Sequence, residues 1–164
     1  MRLTTREELD GTVDEVHALL TGRAFQEAKC AATTVGGPTT VEIGGGNGGE
    51  RVRTVRELPS DTLPDIARSF VGKHLMIIEV HDWSGPAADG SRQSSLDIHA
   101  KGAPLTIKGT LRLEPSGSGT VKVIDAELKA NVPLIGGRLE SAAAGPIITA
   151  IDVETDLLRE WLGR

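Results

Sequence analysis

The sequence predicts an α+β fold in which a curved antiparallel β-sheet is wrapped around a long C-terminal α-helix. Three observations carry this expectation. Residues 138–162 have helical period: Leu139, Ala143, Pro146, Ile147, Ala150, Ile151, Leu157, Leu158 and Trp161 share one face. Arg138, Ser141, Asp152, Thr155, Asp156 and Arg159 take the other. A helix of about 25 residues is roughly 37 Å long and needs an equally long apolar surface to lie on. The rest of the chain offers only a sheet, because about six strand-like segments precede the helix in a meander. The last of these, 120–132, alternates cleanly. Ile124, Ala126, Leu128, Ala130 and Val132 share one parity, with Lys122 the exception, and Asp125, Glu127, Lys129 and Asn131 take the other.

The elements follow in order. Residues 2–9 suit a first strand with one wet face. Thr12 and Glu15 form a capping box, each able to satisfy the other's backbone amide, and Val13, Val16, Leu19 and Leu20 line the helix that follows up to Gly22. A second short helix covers 24–31. Strands are expected at 33–43 and 50–58, joined by a glycine-rich tip. Pro64 suits a helix start, with Leu63, Ile66, Ala67 and Phe70 as its apolar face. Four more strands, 73–83, 91–101, 104–113 and 120–132, are separated by connectors of hairpin length. The segment 133–137, Pro-Leu-Ile-Gly-Gly, ends the last strand. No repeat or linker divides the chain, so residues 1–164 are expected to form a single domain.

Composition narrows the function classes. A net charge of −5 with no run of Lys/Arg argues against nucleic acid as a partner. Aromatic residues make up only 2% and Tyr is absent, so stacking platforms for bases or sugars are lacking. The longest uncharged apolar-rich run, 141–151, is half of what a membrane span requires. The polar residues 2–8 do not read as a signal segment. The single cysteine, Cys30, excludes an intramolecular disulfide and fits a reducing compartment. A soluble, cytoplasmic protein is expected.

The element order, ending in one long helix gripped by a curved sheet, resembles the helix-grip START-like (SRPBCC) superfamily. That group includes START lipid-transfer domains, polyketide cyclases and birch-pollen-allergen-like proteins. Trp83 with Asp89-Gly90-Ser91-Arg92, then Gly102-Ala103-Pro104, Gly109-Thr110-Leu111, Gly119-Thr120 and Pro133-Leu134-Ile135-Gly136-Gly137 are similar to an uncharacterised bacterial branch of it. These are turn and packing residues, and the branch brings no catalytic residues. The resemblance implies a hydrophobic small molecule or lipid bound between sheet and helix.

Several constellations bear on chemistry. Gly44-Gly45-Gly46-Asn47-Gly48-Gly49 satisfies G-x-G-x-x-G, but a dinucleotide site needs that loop to open a helix, and residues 50–58 alternate as a strand. A hairpin tip is expected. His74, His81 and His99 lie on neighbouring strands with Asp82 and Asp97 nearby. The simplest pairing sets Met76, Ile78 and Val80 against Leu96, Ile98 and Ala100 on the inner face, leaving Glu79, His81, Asp97 and His99 on the surface. The other register points Glu79, His81 and Trp83 inward. Glu154 falls near the centre of the apolar helix face, where an unpaired carboxylate costs several kcal/mol. It is either a polar anchor or an acid of raised pKa in a hydrophobic pocket, or else it is salt-bridged to a sheet arginine or sits where the helix has curved away from the sheet. Gly109 interrupts the face of Leu105, Ile107, Leu111 and Leu113, marking a bend, a close backbone approach or space for a ligand. Gly145-Pro146 removes a hydrogen bond inside the long helix. Cys30 has no redox or catalytic context, no Gly-x-Ser-x-Gly elbow occurs, and no nucleophile is visibly paired with a base.

The leading expectation is binding, transport or sequestration of an apolar ligand, with no cofactor and no metal. The expected cavity lining is Met76, Ile78, Val80, Leu96, Ile98, Leu105, Ile107, Gly109, Leu111, Leu128, Leu139, Ala143, Ile147, Ala150, Ile151 and Glu154. One rival is a cyclase- or hydrolase-type enzyme using Glu154, Glu79 and His81. The other is an interaction module with a filled core and outward Leu75 and Ile77.

Overall fold

The computed structural model describes residues 1–34 and 36–164. Strand β1 (Arg2–Leu9) leads into helices α1 (Val13–Leu20) and α2 (Arg23–Thr33). Strands β2 (Thr39–Gly45) and β3 (Glu50–Pro59) precede a 3-10 turn (Ser60–Thr62) and the single-turn helix α3 (Asp65–Arg68). Then come β4 (His74–Trp83), β5 (Arg92–Lys101), β6 (Leu105–Ser116), β7 (Gly119–Ala130) and the long helix α4 (Gly136–Leu162). All neighbouring strands pair antiparallel, in the order β1-β7-β6-β5-β4-β3-β2. The fold is α+β, a curved sheet with α4 lying on its inner face.

Local chemistry accounts for the element boundaries. At α1 the Glu15 amide donates to Thr12 Oγ1 at 3.2 Å, and the Thr12 amide donates to Glu15 Oε2 at 2.7 Å, so the capping box is complete. The segment expected as a strand over 33–43 pairs only from Thr39, because α2 continues to Thr33; Val35 lies outside the described residues. Helix α4 runs unbroken through Pro146. The glycine tip joins β2 to β3, and the Gly46 amide donates to the Gly49 carbonyl at 2.7 Å. A strand follows it, so no helix N-terminus stands there to hold a phosphate.

The two halves of α4 do different work. In its C-terminal half Leu158 is fully buried, and Trp161 meets Phe25 of α2 edge-on at 5.5 Å. In its N-terminal half only Leu139 is fully buried, and Ala143, Ile147 and Ala150 are half-buried. The helix is therefore clamped at one end and stands over open space at the other.

The face of β4 differs from the expected one. Glu79 pairs with Ile98, His81 with Leu96, and Trp83 with Ser94. Leu75, Ile77, Glu79, His81 and Trp83 therefore face inward, and Met76, Ile78 and Val80 point to the convex side. Both parities of β4 carry aliphatic residues, so alternation does not decide between them. The decision falls to cations from other elements, which neutralise Glu79 once it is inside.

Candidate functional site

A cavity of about 700 Å³ lies between the sheet, the first half of α4 and the α3 segment, within the size range of small-molecule sites. Leu96, Ile98, Leu105, Ile107, Leu111, Leu139, Ala143, Ile147, Ala150, Ile151 and Glu154 line it. The other expected residues lie elsewhere, each for a physical reason. Met76, Ile78 and Val80 stand on the opposite face of β4, and Ile78 and Val80 border a convex surface groove with Arg51, Arg53 and Lys108. Leu128 is fully buried in the packed core. Gly109 borders the convex groove, and a Cβ there would lie 2.5 Å from Ala126 Cα of β7. It is a site of close strand approach rather than a lining position.

The structure adds lining residues that periodicity did not select. Leu75 and Ile77 enter with the inward face of β4, while Leu63, Ala67, Phe70 and Val71 come from around α3. The interaction-module reading required a filled core and outward Leu75 and Ile77; both line the cavity instead.

The lysine, arginine and glutamate side chains of the wall form one connected cluster, with His81. Lys29 Nζ of α2 donates to Glu79 Oε1 at 2.9 Å and lies 3.3 Å from Glu154 Oε2. Arg56 of β3 donates through Nη2 to Glu79 Oε2 at 2.8 Å and through Nη1 to Thr33 Oγ1 at 2.6 Å. His81 Nε2 is 2.9 Å from Glu79 Oε1, and its Nδ1 is 3.2 Å from Ser94 Oγ. On the far side Lys122 Nζ donates to Glu154 Oε1 at 2.7 Å and to Thr155 Oγ1 at 3.1 Å. Lys29, Arg56, Glu79, His81 and Glu154 line the cavity, whereas Lys122 sits fully buried behind them.

Electrostatics hold both carboxylates ionised. Burial by itself pushes Glu154 up, but Lys122 and Lys29 outweigh it and bring its pKa down to about 2. Burial likewise opposes the charge on Glu79, yet Lys29, the His81 hydrogen bond and Arg56 hold it well below the usual carboxylate range. Lys29 is also penalised by burial, and the charges of Glu79 and Glu154 raise its pKa regardless. Glu154 is thus neither an unpaired anchor nor an acid of raised pKa. It is salt-bridged, to lysines from β7 and α2 rather than to an arginine. Thr155, expected on the polar face of α4, is buried because it completes the Lys122 site.

The histidines divide. His74 and His99 are exposed, and His81 is buried, contrary to its expected surface position. Among the described residues no group of three His, Cys, Asp or Glu side chains is arranged to hold a metal ion. The His81–Ser94 hydrogen bond is a contact that the sequence did not reveal. Ser94 is 0% exposed and lies outside the cavity lining, so a substrate in the cavity does not reach it. Cys30 is fully buried, and burial pushes its thiol pKa up.

Some signals for the missed residues were present. Lys122 broke the parity of its strand. Arg56 shares parity with Val52 and Thr54, both buried on the inner face of β3. Lys29 lies on the same helical face as Phe25, Gln26 and Cys30. Each is a cation in an otherwise buried row.

Solved structures share this architecture. The STAR-related lipid transfer protein (fragment 25–204) from Xanthomonas axonopodis aligns over 99% of this chain and 86% of its own, with a TM-score of 0.65 and 13% identity. TTHA0849 from Thermus thermophilus aligns over 99% and 97%, with a TM-score of 0.61 and 15% identity. Ara h 8.0201 aligns over 99% and 97%, with a TM-score of 0.59 and 11% identity. At such identities the likeness establishes the fold alone, a curved antiparallel sheet gripping a long C-terminal helix. Among curated sequences, the uncharacterized protein Rv0481c of Mycobacterium tuberculosis is 24% identical over 162 residues, covering 94% of this chain and 92% of its own length. Mb0491c of Mycobacterium bovis matches to the same extent. With a family match over residues 4–162, the chain belongs to the family described as "Protein of unknown function (DUF2505)".

Proposed function

We propose that this protein binds a hydrophobic small molecule or lipid in the cavity between the sheet and α4, for transport or sequestration. One observation carries the reading: about 700 Å³ of space walled mainly by aliphatic side chains, with its lysine, arginine and glutamate side chains gathered into a single cluster. Leu, Ile, Val and Ala fill space less completely than aromatic rings, and only two Phe and two Trp occur in the chain. The presence of a lipid-transfer protein among its structural neighbours agrees with this reading. Both cavity carboxylates are held ionised by ion pairs. They are therefore poor general acids near neutral pH, which favours a binder over a cyclase or hydrolase. No described helix is long and apolar enough to cross a membrane, and the lone buried thiol suits a cytoplasmic carrier.

The test is native mass spectrometry of the purified protein, extraction of whatever co-purifies, and titration with a fluorescent fatty-acid probe. A bound apolar adduct, or stoichiometric probe binding that such a compound displaces, is the expected result. Failure to bind the probe, with no co-purifying ligand, would overturn the reading.

A further inference from the structure

The buried cluster in the cavity wall is not electrically balanced. Lys29, Arg56 and Lys122 supply three cations, and Glu79 and Glu154 supply two carboxylates. Charged groups taken out of water cost several kcal/mol each unless neutralised, so one more negative charge is called for in this region. The cavity is where it can arrive, because Lys29, Arg56 and His81 all line it.

A second observation is independent of the count. The Arg56 side chain is 10% exposed, and both terminal nitrogens are engaged, by Thr33 and Glu79. Among the described residues its buried Nε has no hydrogen-bond partner. An unmet guanidinium donor in a buried cluster is costly, and carboxylates are its natural acceptors. Around this polar region the cavity wall is aliphatic, with Leu75, Ile77, Leu105, Ala143 and Ile147 among its residues. A group that satisfies the cluster must therefore carry an apolar body with it.

We infer that the ligand is a long-chain carboxylic acid, its single carboxylate received by Arg56 and Lys29 beside His81 and its chain lying between the sheet and α4. A monoanion fits because the permanent excess is one charge. This rests on the apolar-ligand reading above and goes beyond it by naming the headgroup.

The experiment compares hexadecanoic acid, hexadecan-1-ol and hexadecyl phosphate as displacers of one fluorescent apolar probe, on the unaltered protein and on Arg56→Gln. The acid is expected to displace at least tenfold better than the alcohol. In Arg56→Gln that preference should shrink to about threefold or less. Equal displacement by acid and alcohol on the unaltered protein would mean that a solvent anion supplies the counter-charge. It would overturn the inference and leave apolar binding standing. Stronger displacement by the phosphate than by the acid would assign the wall to a dianion and likewise overturn it. If no compound binds, both readings fall together. The acid–alcohol comparison needs no variant, so it decides the matter even if Arg56→Gln does not fold.

Discussion

Lys122 Nζ of β7 donates to Glu154 Oε1 of α4 at 2.7 Å, with the lysine side chain 0% and the glutamate side chain 10% exposed. Each is the charged residue that breaks an apolar row, one on the inner face of the last strand and one on the inner face of the last helix. Each is explained by the other. The pair ties the middle of α4 to the sheet, next to the point where packing gives way to cavity. Lys29, 3.3 Å from the same carboxylate, links this pair to the Glu79 cluster.

Breaking the pair from one side should be costly. Glu154→Gln leaves Lys122 buried without a counter-charge, and a loss of about 3 kcal/mol in unfolding free energy is expected. Replacing both partners, Glu154→Leu with Lys122→Met, should recover much of that loss. Urea unfolding of the three proteins checks this, and equal stability of Glu154→Gln and the parent would show that the pair contributes nothing.

Acid sensitivity follows from the same residue. The folded-state pKa of Glu154 is brought from 4.5 to about 2. A depressed carboxylate stabilises the fold above its unfolded pKa, and that contribution fades as pH falls through the folded value. The stability gap between the parent and Glu154→Gln should thus be full at pH 6, narrow below about pH 4.5, and nearly close by pH 2. Unfolding curves at pH 6, 4 and 2.5 measure it. A gap constant across that range would mean that Glu154 titrates normally.

Filling the cavity should block binding. Ala143 and Ala150 both line it from α4, two turns apart. Ala143→Leu combined with Ala150→Leu is expected to weaken fluorescent fatty-acid binding at least tenfold while leaving the circular dichroism spectrum unchanged. Ser141 is exposed on the same helix, so Ser141→Leu serves as the control and should bind the probe normally.

Gly109 and Gly44 should respond oppositely to alanine. A Cβ on Gly109 would collide with the backbone of Asp125 and Ala126, whereas one on Gly44 meets nothing within 4 Å. Gly109→Ala is expected to cost about 2 kcal/mol or more through overpacking. Gly44→Ala should stay within about 0.5 kcal/mol, as for other surface changes. Thermal melts of the two variants decide it, and a neutral Gly109→Ala would show that the two strands can part there.

The sequence by itself determined the α+β class, the element order and the grip of sheet on helix. Period-two alternation in β7, the Thr12–Glu15 capping box, hairpin-length connectors and one apolar stripe from Leu139 to Trp161 are local patterns. Each follows from backbone geometry within a few residues. Most of the α4, β5 and β6 lining was legible for the same reason. Tertiary structure alone decided which face of β4 turns inward and what the cavity wall carries. Both parities of β4 are aliphatic, so the hydrophobic term is nearly indifferent between them. The choice rests on whether Glu79 meets cations, and those stand far away in the chain: Lys29 at a separation of 50 residues and Arg56 at 23. A buried carboxylate is unfavourable alone and tolerated once paired, and pairing across such distances exists only after the chain has folded.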